Sequence, residues 1–164
     1  MKLLVLGIGN LVMNDDGAGV LAVQELMKEY QETDTLRIMD GGTLGLDLLV
    51  YIEWADRLII ADAVDFGLEA GAIVRVEGDD IDTVFENKLS AHQMGMKDML
   101  ATAALMGVRP KEVRLYGIQT KSIEMDMTLS PEVSASLPKL TEHLRKEISA
   151  QGQPFRPIQD VNPL

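Results

Sequence analysis

The sequence predicts an α/β fold: a single three-layer domain whose mainly parallel five-stranded sheet carries helices on both faces. Three observations predict it. Short, continuous aliphatic runs recur along the chain, as expected of strands buried on both faces. Segments with helical spacing fall between them, the pattern of β-α-β units. A length of 164 residues suits one domain able to bury most of its apolar surface.

The first strand is read at Leu3–Leu6 and breaks at Gly7-Ile8-Gly9-Asn10. Val20, Val23, Met27 and Tyr30 then share one face of a helix running to about Tyr30. Leu36–Met39 is the second strand, followed by Asp40-Gly41-Gly42-Thr43 and a helix from Leu44 to Ile52, with Thr43 an acceptable N-cap. The third strand, Leu58–Ala61, is closed by Asp62, and the fourth is Ala72–Val76. Asp79 to Asn87 reads as a short helical turn. Ser90-Ala91-His92-Gln93 reads as a polar loop, within a connection long enough for an irregular, lid-like segment. Met96, Met99, Leu100, Ala103 and Met106 mark a third long helix, stopped by Gly107 with Pro110 beyond. Val113–Ile118 is the fifth strand, and the last helix spans Pro131 to Ile148 behind Ser130 as N-cap. Residues 1–150 form the domain. The Pro- and Gln-rich stretch 151–164 is expected to be a flexible tail.

Hydrophobic residues make up 46% of the chain and charged ones 25%, ordinary values for a globular protein. With few aromatics and ten methionines, the core is expected to be aliphatic with Met filling irregular gaps; a Met-rich docking surface is the other reading. A net charge of −11 repels phosphate backbones and anionic lipid, so neither nucleic acid nor membrane is expected as a partner. A basic partner suits it. The chain has no cysteine, which removes disulfides, thiolate metal sites and a cysteine nucleophile, and fits a cytoplasmic location. The opening apolar run is too short for a signal peptide, and no run is long enough to span a bilayer.

Gly7-Ile8-Gly9 after a first strand invites a dinucleotide-binding reading. The third glycine of that fingerprint would fall on Val12, and two acids follow before the helix. Carboxylates there compete with a pyrophosphate for the positive helix end, so the cofactor reading fails. Asp15 and Asp16 instead allow a division of labour, one capping the helix and one pointing into the crevice. Asp62 is a carboxylate at the end of an apolar strand, costly unless solvated, hydrogen-bonded or bound to a cation. His92 has no local apolar pattern to bury it, whereas His143 sits among charged residues and reads as a surface side chain. The Asp40 segment reads as a tight turn or a close backbone approach. In an open parallel sheet, Asp16, Asp62 and His92 converge on the crevice at the carboxyl ends of the strands, where two carboxylates and an imidazole suit a divalent metal. No Gly-x-Ser-x-Gly elbow and no His-Glu-x-x-His helix are present.

In order and spacing, Gly7-Ile8-Gly9-Asn10, Asp15-Asp16-Gly17-Ala18-Gly19, Asp40-Gly41-Gly42-Thr43, Asp62-Ala63, His92-Gln93 and Gly117-Ile118-Gln119 resemble the nickel–iron hydrogenase maturation endopeptidases over about residues 2 to 135. The resemblance implies a peptidase that removes a C-terminal extension from the precursor of a hydrogenase large subunit after nickel insertion. Nickel arrives in the substrate as the recognition feature, and no tightly held cofactor is expected. The family's metal-contacting residues fall on Asp16, Asp62 and His92. The first of these is Glu in some members, and Asp16 reaches about one methylene less far. Thr120 stands where Pro often follows the last motif. Either the metal positions and polarises the scissile carbonyl, or one carboxylate acts as general base to water. Two other classes compete: a non-catalytic, metal-dependent chaperone for the same precursor, and a peptidyl-tRNA hydrolase. The latter needs a Thr-Arg-His-Asn segment and a basic surface, which this chain lacks.

Overall fold

The computed structural model describes residues 1–42, 45–86 and 91–153, with the backbone alone for 45–46, 85–86 and 91–95. Five strands, β1 (Leu3–Ile8), β2 (Leu36–Gly42), β3 (Arg57–Val64), β4 (Ile73–Glu77) and β5 (Glu112–Gln119), form one sheet in the order β2-β1-β3-β5-β4. β2, β1, β3 and β5 are parallel, and β4 closes one edge antiparallel to β5. The helices are α1 (Ala18–Glu29), α2 (Leu49–Trp54), α3 (Asp80–Glu86), α4 (Ala91–Leu105) and α5 (Pro131–Ala150).

The period-two alternation of the central strands divides the core. Leu3 and Val5 of β1 and Ile59 and Ala61 of β3 pack against α1 and α5, through Val23, Leu26, Leu140 and Leu144. Leu4, Leu6, Leu58 and Ile60 face the other way and meet Ile52 of α2, Ile81 of α3 and Met96, Met99 and Leu100 of α4. The three-layer arrangement read from the sequence is the one observed. Among the described residues, no helix is long and apolar enough to cross a membrane.

Several boundaries move, each for a physical reason. β3 does not stop at Asp62 but continues through Val64, because β5 still pairs with it there, Asp62 opposite Gly117 and Val64 opposite Gln119. β1 pairs with β3 only as far as Gly7 opposite Ala61. Asp62 therefore lies at the level where β3 loses its β1 neighbour. Asp40-Gly41-Gly42 is not a turn after β2 but a bulge inside it: Gly7 pairs with Asp40 and Ile8 with Gly42, leaving Gly41 over. The second helix starts as a 3-10 turn, Gly45–Leu48, before α2; the expected cap Thr43 lies outside the described residues. α4 starts at Ala91, so the backbone of His92 is helical and not part of a loop. Its polar first turn has no apolar periodicity, which is why the sequence pattern begins only at Met96. At the other end, Gln153 is buried, its Nε2 donating to the carbonyls of Met1 (3.2 Å) and Thr35 (3.1 Å). The expected tail beyond it, 154–164, lies outside the described residues.

The order in which strands are added to the sheet reverses between β1 and β3. From β1 the chain crosses by α1 to β2 on one side, then by α2 to β3 on the other. This is the switch point at which open α/β sheets present their ligand crevice. α1 reaches it by direct backbone contact: a Cβ on Gly19 would stand 2.3 Å from the Ala61 carbonyl oxygen and 2.8 Å from Asp62 Cα. Gly19→Ala gains up to about 1 kcal/mol of helix propensity but must force α1 off the sheet. We expect a net loss of about 2 kcal/mol or more, read from urea unfolding. A neutral or stabilised variant would show that α1 rides outward freely.

Candidate active site at the strand switch point

Asp16 belongs to a 3-10 turn, Asn14–Gly17, that joins β1 to α1 and packs against β3. Gly9 shapes the approach. Its φ of +140° disfavours any side chain, and a Cβ there would lie 2.1 Å from the Asp16 carbonyl oxygen. The Asn10 N–H donates to Asp16 Oδ2 at 3.0 Å. The carboxylate thus takes up a backbone donor at the end of β1, and not one at the N-terminus of α1. Asp16 is nearly buried, and the next residues, Gly17 to Gly19, carry the chain onto Asp62.

Asp62 is a buried carboxylate within β3, only 1% exposed. Its Oδ1 accepts the Ala63 N–H at 2.8 Å. By strand alternation it shares the sheet face of Leu58, Ile60 and Val64, the face that α4 covers. α4 packs on the turn Gly45–Leu48 that follows β2. It is about 22 Å long at 1.5 Å per residue and leads back to Lys111, whose N–H donates to the Asp56 carbonyl at the opposite edge of the sheet. The first turn of α4, with the backbone of His92, thus lies toward the carboxyl edge. The His92 side chain lies outside the described residues. Among the described residues no three His, Cys, Asp or Glu side chains gather as a metal site.

On the β2 side, a cavity of about 210 Å³ opens between Gly9, Asn10, Leu11, Val20, Asp40 and Gly42. Asp40 is fixed there: its Oδ1 accepts the Gly42 N–H at 2.9 Å, which closes the bulge, and its Oδ2 accepts Gln24 Nε2 at 3.1 Å. Gln119, at the end of β5, is buried and fully used. Its Oε1 accepts the N–H groups of Phe66 (2.8 Å) and Leu68 (3.3 Å), and its Nε2 donates to Asp65 Oδ1 and the Thr120 carbonyl. It therefore holds the β3–β4 loop beside the crevice. The sequence marked Gln119 within a motif without indicating this role.

Neither acid of the Asp15-Asp16 pair caps α1, whose N-cap is Gly17 with no side-chain bond. Asp15 is fully buried and is engaged by the segment between β5 and α5. Its carboxylate accepts the N–H groups of Lys121 (2.8 Å), Ser122 (3.0 Å) and Ser130 (2.7 Å) and the Ser130 hydroxyl. Its own N–H donates to the Ser122 carbonyl at 3.1 Å. Ser130 is at the N-cap position of α5 as expected, yet its hydroxyl serves Asp15 and not the helix. Burial pushes the Asp15 carboxyl upward, and the bonds from Ser130, Ser122 and Lys121 outweigh it, holding the pKa below its usual value. No local sequence signal could reveal partners more than a hundred residues away.

Fold and site define an α/β protein with buried carboxylates at its switch point, one of them inside a strand. Comparison with known proteins identifies the class. A family model described as hydrogenase maturation protease matches residues 20–147, and the chain belongs to this family. It is 35% identical over 153 residues to the hydrogenase 2 maturation protease of Escherichia coli, the match covering 93% of each chain. It is 44% identical over 124 residues to the hydrogenase expression/formation protein HupD of Bradyrhizobium diazoefficiens, covering 75% of this chain and 65% of HupD, just under two thirds of that relative's length. The solved hydrogenase maturating endopeptidase HybD from E. coli superposes with a TM-score of 0.89 at 34% identity, covering 96% of this chain and 98% of HybD.

Replacing Asp15 by Asn keeps the volume but sets an amide among donors. We expect a loss of about 2–3 kcal/mol in urea unfolding at pH 7. Because the folded pKa is depressed, the wild-type advantage holds above the unfolded carboxyl value of about 3.9 and fades as pH falls through the lower folded value. The gap between the proteins should therefore narrow below about pH 4. A gap independent of pH would refute the charge-based account.

Proposed function

We propose that this chain is the endopeptidase that removes the C-terminal extension of a nickel–iron hydrogenase large-subunit precursor after nickel insertion, acting in the cytoplasm. The observation that carries the reading is Asp62, a buried carboxylate set in β3 where β1 has turned away and α1 has brought up Asp16. Family membership and the likeness to HybD support it. So does the motif order that sets His92 in the first turn of α4.

In this reading the nickel ion belongs to the substrate. Asp16, Asp62 and His92 supply two oxygens and a nitrogen, a donor set suited to a divalent first-row ion. Gripping the metal places the precursor's tail across the carboxyl edge, and orientation of the scissile bond supplies much of the rate. A carboxylate of the pair that is not engaged with the metal then takes a proton from the attacking water and passes it to the amide nitrogen, so that the C–N bond breaks and the extension leaves as a free amine, with a carboxylate on the mature subunit. The cavity beside Asp40 receives residues next to the cleaved bond. The enzyme needs no resident cofactor. A chaperone that merely holds the precursor would form a stoichiometric complex and release no peptide.

The test is mass spectrometry of a purified nickel-containing precursor incubated with the wild-type chain, Asp62→Asn and His92→Ala. The wild type should release one C-terminal peptide with multiple turnovers. Each variant should be slowed by at least about a hundredfold while unfolding normally. A stable complex without peptide release would favour the chaperone, and unimpaired processing by His92→Ala would remove His92 from the site.

A further inference from the structure

Among the described residues, exposed apolar side chains concentrate beside the crevice. Between Lys121 and Ser130, Ile123, Met125 and Met127 stand exposed, the two methionines at 83% and 76%, and alternate with Glu124 and Asp126. Val12, exposed on the turn after β1, adjoins them: the Asp126 N–H donates to the Val12 carbonyl at 3.1 Å, and the Asn14 N–H to the Asp126 carbonyl at 2.6 Å. Scattered exposed apolar residues are ordinary; a group on two linked segments is the kind of patch that marks an interaction site. The loop is also held in shape. Asp15 bonds both ends of it, and the Asp126 carboxylate accepts the N–H and hydroxyl of Thr128. A buried carboxylate thus maintains a loop that displays methionines to water, an arrangement that apolar burial within this chain does not favour.

We propose that this loop docks the folded body of the same precursor, on an apolar patch flanked by basic side chains. The proposal rests on the peptidase reading. The loop is bonded to the turn that carries Asn10 and Asp16, which sets it beside the residues a substrate polypeptide has to reach. Glu124 and Asp126 between the apolar residues, in a chain of net charge −11, select a basic rim on the partner. Unbranched thioethers adapt to another protein's surface.

The experiment is steady-state processing of the nickel-containing precursor by the wild type, by an Ile123→Ser/Met125→Ser/Met127→Ser variant, and by Leu105→Ser, which alters a residue 91% exposed at the end of α4. The triple variant should raise KM by about tenfold or more and leave kcat and the urea midpoint near wild type, with Leu105→Ser unchanged throughout. The single change Met125→Lys should raise KM in the same direction. If the wild type cleaves and the triple variant shows the same KM, docking at this loop is refuted while the peptidase reading stands. Failure of the wild type to cleave overturns both. A wild-type dimer in sedimentation velocity that the triple variant abolishes would assign the patch to a second copy and refute the proposal.

Discussion

Helix α1 meets the sheet at Gly19 with no side chain between them, its backbone resting on the carbonyl of Ala61 and the Cα of Asp62. Gly9 makes the matching contact with the backbone of Asp16. A methyl group at either point would separate elements that now lie in van der Waals contact, and the carboxyl edge would widen. The crevice depends on this seam. It allows an acid in the β1–α1 turn and an acid inside β3 to occupy one end of the switch point, although they are far apart in sequence.

The same turn carries a second carboxylate with a different task. Asp15 and Asp16 are neighbours in the chain, but one is spent wholly on N–H and hydroxyl donors from the β5–α5 connection while the other lies at the crevice. Asp15 thereby couples the shape of the 121–130 loop to the turn that sets Asp16. On the far side, Gln119 does the equivalent for the β3–β4 loop. Both loops at the mouth are thus held by buried polar side chains, whose loss would leave several backbone donors unsatisfied.

The fold was legible because short, continuous aliphatic runs and helical spacing are local signals, and each of β1 to β5 lies over its run. What the pattern missed was non-local or polar. The start of α4 is polar, so His92 read as a loop residue although its backbone is helical. Asp62 read as a strand end because a carboxylate interrupts the apolar run there, whereas Ala63 and Val64 continue the strand in pairing with β5. Of the Asp15-Asp16 pair one was expected to cap the helix, but neither does, and Asp15 is a tertiary tether whose partners lie beyond residue 120. The methionines divided. Met96 and Met99 fill the core as expected, but Met125 and Met127 stand outside it on a tethered loop. Only folding shows which is which.

If Asp16, Asp62 and His92 read a metal held by another protein, cleavage must depend on that metal and not merely on the precursor's sequence. The direct measurement compares two preparations of one large-subunit precursor, nickel-loaded and nickel-free, with the wild-type chain, following peptide release by mass spectrometry. The account predicts release from the nickel-loaded form alone, restored in the other form once nickel has been inserted. Cleavage of both forms at equal rates would contradict it.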